Sequence, residues 1–193
     1  MRTLYLNVGV LLLAAGRSKR FGSDKRLAQL PDGRALLDAT LDNIERSALP
    51  SMVCIRHDDS QLADHLIQRG FVVHASRNCD AGMGSTLAEG VRHLPTWDGV
   101  LVALADMPWI ATRTYQQIAA HLGPATICLP VYRGKRGHPV GFGCRYWPAL
   151  AALSGPRGAA AIVARAEEAE QVAKAERAER AEPPSDQLRL LPT

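Results

Sequence analysis

Behind an apolar run from Val8 to Leu13 and a glycine, Gly16, the chain places five basic residues in ten: Arg17, Lys19, Arg20, Lys25 and Arg26, against one acid, Asp24. Glycine lets a backbone approach an anion closely, and lysine and arginine neutralise it, so this loop suits a polyphosphate. Its spacing excludes two familiar phosphate binders. A Walker A loop needs four residues between its glycines and then Lys-Ser/Thr, whereas five residues separate Gly16 from Gly22 and Lys25 precedes Arg26. A dinucleotide fingerprint needs G-x-G-x-x-G, and Gly16-Arg-Ser fails it.

Three further constellations could carry chemistry. Val100 to Ala105 is an apolar run ending in Asp106-Met-Pro108. A carboxylate at a strand exit can hold Mg2+, a hard cation that takes carboxylate and phosphate oxygens. The structural alternative is a helix-capping aspartate, but Thr112 stands closer to the next helix. Asn78 to Thr86 contains Gly82, Gly84 and Ser85 ahead of a helical pattern, where backbone N–H groups can meet a ligand. Thr86-Leu-Ala-Glu89 within it reads as a capping box, a purely structural assignment. Tyr132 to Phe142 is basic and glycine-rich, and with Arg136 and His138 it suits a phosphorylated acceptor. The other histidines, at 57, 65, 74, 93 and 121, show no metal or triad spacing and read as surface or core fill. With no G-x-S-x-G and no nucleophile motif, the chemistry these residues can do is phosphoryl or nucleotidyl transfer by positioning and charge neutralisation.

The elements that must position these residues are legible as alternating patterns. After Val8–Leu13 come apolar runs at Met52–Ile55, Phe71–His74, Val100–Ala105 and Ile127–Val131. Between them, Leu36, Leu37, Thr40, Leu41 and Ile44, then Leu87, Val91 and Leu94, then Ile118, Ala119 and Leu122, recur at helical spacing. Strands alternating with helices predict a doubly wound α/β fold with a mostly parallel sheet, whose ligands gather at the strands' carboxyl ends.

At 193 residues the chain is most simply one domain. The net charge of +4 is uneven, because residues 164–193 carry five basic and seven acidic side chains and the remainder is +6. A basic patch concentrated at one strand end favours a small phosphate ligand over nucleic acid. Cys54, Cys79, Cys128 and Cys144 form no CxxC pair and read as buried reduced thiols. No apolar run reaches membrane-spanning length and no signal-peptide core is present, so a cytoplasmic protein without a membrane partner is expected. From Ala159 to Glu182 the composition shifts to Ala, Glu, Arg and Lys, with Pro183-Pro184 as a stop and a loose tail after it. The expected division is residues 1–163 as the catalytic domain and residues 164–193 as a charged helix and tail.

Leu13-Ala-Ala-Gly16-Arg-Ser-Lys-Arg20-Phe-Gly22-Ser-Asp-Lys25 resembles the L-x-A-G-x-x-x-R-M-G-x-x-K signature of nucleotidyltransferases of the molybdopterin cofactor type. Gly82-Met-Gly-Ser-Thr-Leu87, Leu104-Ala-Asp106-Met-Pro108 and Arg136-Gly-His-Pro-Val140 follow in family order, so the likeness covers roughly residues 8–163. Within the family the chain is most similar to molybdenum cofactor cytidylyltransferases, Ala-Ala-Gly16 being the pattern associated with CTP over GTP. The resemblance implies a Rossmann-like single domain of the nucleotide-diphospho-sugar transferase type. It also implies CTP and a molybdenum-pterin cofactor as substrates, Mg2+ as the metal, and a recipient molybdoenzyme as a possible partner.

In that scheme Leu13, Ala14, Ala15, Gly16 and Arg17 hold the phosphates and Lys25 sits at the α-phosphate. Asp106 holds the metal, Gly82, Gly84 and Ser85 contact base and ribose, and His138 and Arg136 face the acceptor. Phe21 replaces the usual Met. The family's acidic D-I-D-T-P-E-D segment near the C-terminus is replaced by the Ala/Glu/Arg stretch, with Asp186 the only aspartate after Asp106. Transfer to another phosphorylated acceptor, and a nucleotide-gated carrier without catalysis, are the competing readings. A dehydrogenase is disfavoured by the missing fingerprint.

Overall fold

The computed structural model describes residues 6–16 and 25–181. Arg17, Phe21, the remainder of the basic loop up to Asp24, Pro183-Pro184 and Asp186 lie outside the described residues. Eight strands are present among those described: β1 (Val8–Leu13), β2 (Ser51–Arg56), β3 (Val72–Ser76), β4 (Gly99–Leu104), β5 (Ile127–Cys128), β6 (Val131–Tyr132), β7 (Lys135–Arg136) and β8 (Val140–Gly143). Six of them form one sheet in the order β3-β2-β1-β4-β8-β5. β1 pairs in parallel with β2 and β4, and β2 with β3. β8 runs antiparallel to both β4 and β5. All six residues of β1 are buried, as a central strand covered on both faces requires.

Four longer helices complete the unit Met1–Ala159: α1 (Leu36–Arg46), α2 (Ser60–Gln68), α3 (Met83–Arg92) and α4 (Thr112–His121). α1 buries Leu37, Thr40, Leu41 and Ile44, the stripe read from its spacing. α2 buries Leu66 and packs Leu62 and Ala63 against the core. The short α5 (Trp147–Ala151) follows β8. The mixed α/β architecture with a mostly parallel sheet is the one expected.

Two local expectations need correction. Ile127–Val131 is not one strand, because Leu129 and Pro130 separate β5 from β6, and proline cannot donate to a ladder. The Tyr132–Phe142 segment is more than a loop, since it holds the β6–β7 ribbon and then β8, with Phe142 fully buried. Its strand signal is masked by Gly141 and Gly143, yet a Cβ on Gly141 would lie 2.8 Å from the Ile118 side chain. Gly141 lets α4 approach the sheet, and Gly143 makes room for the Gly123–Pro124 backbone that follows it. Cys54 and Cys79 are buried, whereas Cys128 and Cys144 are partly exposed.

A second unit begins at Ala160, with α6 spanning Ala160–Ala181 in a sequence rich in alanine, the strongest helix former. Among the described residues no helix is long and apolar enough to cross a membrane.

Candidate active site

The sheet's chain order reverses at the β1/β4 pair, since β1 leads outward through β2 and β3 on one side and β4 stands on the other. Leu13 lies opposite Leu104, and the Ala105 amide donates to the Leu13 carbonyl at 3.2 Å. The two strands therefore end side by side. Such a switch point opens a crevice at the strands' carboxyl ends.

A cavity of about 490 Å³ fills that place, within the range of small-molecule sites. Its walls are Leu13, Ala14, Ala15 and Gly16 from the β1 exit, Lys25 and Arg26 beyond it, and Leu104, Ala105 and Asp106 from the β4 exit. Cys79, Asp80 and Gly82 from the segment after β3, with Met83 and Thr86 of α3, close the remaining side.

Lys25 Nζ stands 2.8 Å from Asp106 Oδ2, both side chains being about two-fifths exposed (39% and 43%). Eighty-one residues apart in sequence, the pair is brought together by the β1–β4 register. Arg26, also in the cavity wall, ties that wall together. Its guanidinium donates to the Ala14 carbonyl at 3.0 Å and to Asp59 Oδ2 at 2.6 Å, bracing the β1 exit against the start of α2.

Helix α1 braces the other strand exit. Thr40 Oγ1 donates to the Ala105 carbonyl at 3.2 Å and Asn43 Nδ2 to the Pro108 carbonyl at 2.9 Å, so both flanks of Asp106 are fixed. Thr112 does not cap α4 as expected. Ala111 holds that position without a side-chain bond, and the Thr112 hydroxyl donates instead to the Asn43 carbonyl.

The glycine-rich segment divides its labour. Gly82, at φ 113°, lines the cavity and would carry a Cβ only 2.6 Å from Pro156 Cα. Gly84 and Ser85 are not among the residues lining the cavity. The Gly84 amide donates to the Gly155 carbonyl at 2.9 Å, and the Gly155 amide donates to Ser85 Oγ at 3.0 Å. A Cβ on Gly84 would run into the Arg157 carbonyl oxygen.

The expected capping box is absent. Thr86 Oγ1 donates to the Gly82 carbonyl, one turn back, and Glu89 reaches away from the helix start. The Glu89 carboxylate accepts from Ser76 Oγ at 2.7 Å, the Asn78 amide at 3.1 Å, and the Arg77 amide and His74 Nε2 at 3.2 Å each. Burial opposes its ionisation, but these four donors outweigh it and pull the group down to about 2. His74, expected to be fill, is thus a ligand of this carboxylate, and its ring stacks on His93 at 4.2 Å.

Arg56, at the end of β2, is nearly buried and donates to Asp58, Asp80 and the Cys79 sulfur, fixing two cavity residues. Cys79 and Asp80 were within the segment singled out by sequence, but only their place after β3 could have marked them. His138 is half-buried; burial lowers its basicity, and the nearby Asp106 charge opposes that shift. Arg136 lies exposed on β7.

Among the described residues no three His, Cys, Asp or Glu side chains cluster to hold a metal ion. The donor set nevertheless fits a divalent cation of the magnesium kind, which is commonly bound by one carboxylate, here Asp106, with substrate phosphates completing the shell.

The model of the MobA-like NTP transferase domain matches residues 10–172. Nicotine blue oxidoreductase of Paenarthrobacter nicotinovorans is 25% identical over 158 residues, 77% of this chain and 78% of that protein. The crystal structure of Rv0371c from Mycobacterium tuberculosis H37Rv superposes with a TM-score of 0.67 at 27% identity, over 80% of each chain. The same protein in complex with manganese gives 0.63 at 28%, over 77% of each chain. A lysine–aspartate pair at the joined exits of β1 and β4 and a family model covering most of the chain converge: the chain belongs to the MobA-like NTP transferase domain family, and it is a nucleotidyltransferase acting on a small molecule.

Proposed function

We propose that the chain transfers CMP from CTP to the terminal phosphate of a molybdenum-bearing pterin cofactor, with release of pyrophosphate. The observation that carries this reading is the Lys25–Asp106 pair at 2.8 Å on the rim of a cavity at the β1/β4 switch point. A cation and an acid so placed meet the two needs of nucleotidyl transfer, neutralising the triphosphate and anchoring its counter-ion.

In this reading the backbone from Leu13 to Gly16, with Arg17, takes the β- and γ-phosphates, and Lys25 moves from Asp106 to the α-phosphate. Gly82 faces the nucleoside from the far wall, and Gly84 and Ser85 support it by fixing the Ser154–Arg157 turn. His138 and Arg136 face the acceptor. An oxygen of the acceptor's terminal phosphate forms a bond to the α-phosphorus while the bond to the β-phosphate oxygen breaks, and pyrophosphate leaves with that electron pair. Mg2+ held at Asp106 would supply charge neutralisation on the phosphate oxygens. The pterin-nucleotide product is handed on to a recipient molybdoenzyme.

The test is pyrophosphate release with molybdenum-loaded pterin and either CTP or GTP. CTP-dependent release is expected. Preference for GTP overturns the base assignment, and nucleotide binding without release replaces transfer by a carrier role.

A further inference from the structure

The stretch from Arg77 to Gly82 gives Cys79, Asp80 and Gly82 to the cavity wall and holds one 3-10 turn, Cys79–Ala81, so its entry from β3 needs a fixing of its own. Its two leading amides, those of Arg77 and Asn78, both end on one side chain. That side chain is Glu89, 9% exposed, within two turns of the start of α3. The helix whose first turn opens on the cavity therefore also carries the group that grips the segment leading into it.

We propose that Glu89 is a positioning residue for nucleotide binding, its carboxylate locking the path from β3 into the Cys79–Gly82 wall. This rests on the nucleotide-binding reading of the cavity given above. The geometry calls for a carboxylate and nothing else. Oε1 accepts from the Arg77 amide and His74 Nε2, and Oε2 from the Asn78 amide and the Ser76 hydroxyl. Each oxygen takes one backbone N–H. A glutamine, turned either way, sets an NH2 against one of those amides and leaves it without an acceptor. The other fixings of the segment act elsewhere on it: Arg56 donates to Cys79 and Asp80, and the Ala81 amide to the Asn78 carbonyl, whereas the Arg77 and Asn78 amides both go to Glu89.

The experiment measures CTP affinity by calorimetry, together with backbone hydrogen exchange over residues 77–83, in wild type, Glu89→Gln and Leu122→Ala. Leu122 packs by Gly99 at the far end of β4, so its truncation destabilises the fold without touching the cavity. Glu89→Gln is expected to weaken CTP binding about tenfold and speed exchange in that segment about as much, one unsatisfied buried amide being enough for such a factor. In turnover the loss falls on KM for CTP rather than on kcat. Leu122→Ala is expected to leave affinity and local exchange within about twofold, because distant sites add independently.

Wild-type binding of CTP with the same affinity in Glu89→Gln as in Leu122→Ala overturns the proposal alone. Wild-type protein that binds neither CTP nor GTP overturns the nucleotide reading and the proposal with it. Should Glu89→Gln not fold, Glu89→Asp replaces it, since the charge is kept but withdrawn by one methylene. Weaker CTP binding is then expected, and unchanged affinity overturns the proposal.

Discussion

Two carboxylates stand beside strand exits on opposite sides of β1 and are held in opposite ways. Asp106, after β4, is 43% exposed and meets one lysine. Glu89, beside the exit of β3, is buried and takes four hydrogen bonds. An exposed ion pair is worth little to the fold, about 0–1 kcal/mol, so Asp106 can exchange Lys25 for a ligand at small cost. A buried carboxylate that satisfies two backbone amides cannot be exchanged without opening the segment it holds. The difference separates a group kept available for chemistry from a group spent on shape.

The sharpest way to break that contrast is Asp106→Ala. Turnover, read as pyrophosphate release, is expected to fall at least about 100-fold, while the melting temperature stays nearly unchanged. A large loss of stability would show that Asp106 is as structural as Glu89.

The second is acid titration of stability. Glu89 ionises at about 2 in the fold against an ordinary 4.5, so the unfolded chain takes up the proton first. Its contribution is complete above about pH 5 and is lost as the pH falls towards about 2, an effect of order 3 kcal/mol. Urea unfolding across that range is expected to show this acid limb in wild type and to show it flattened in Glu89→Gln.

Gly84→Ala tests the seating of the helix that carries Glu89. The added methyl meets the Arg157 and Gly155 carbonyls, and a loss of about 1–3 kcal/mol in denaturant unfolding is expected. The smallest effect belongs to Asn43→Ala, which frees the Pro108 carbonyl beyond Asp106. About 1 kcal/mol of stability is expected to go, with kcat falling and KM for CTP holding.

The two sides also differ in how far they could be read before folding. Asp106 announced itself, being an acid that ends an apolar strand at the edge where ligands collect, and β4 occupies Gly99–Leu104 beneath it as expected. Glu89 did not. Three residues after Thr86 it imitates a capping box, a local pattern, but its partners lie 11 to 15 residues away across the β3–α3 connection. Pattern reading sees spacing within an element and is blind to where a side chain turns between elements. Gly141 and Gly143 misled in the same way, hiding β8 because close packing of α4 and of the Gly123–Pro124 backbone, not strand propensity, selects them.

By itself the sequence determined the alternation of strands and helices, the buried β1 and the residue types at the strand exits, because hydrophobic periodicity and glycine or charge placement are local properties. Tertiary structure alone decided the strand order that sets Lys25 against Asp106, the inward turn of Glu89, and the division of Gly82 from Gly84 and Ser85. Those depend on contacts between residues distant in the chain, and a contact exists only once the backbone has closed around it.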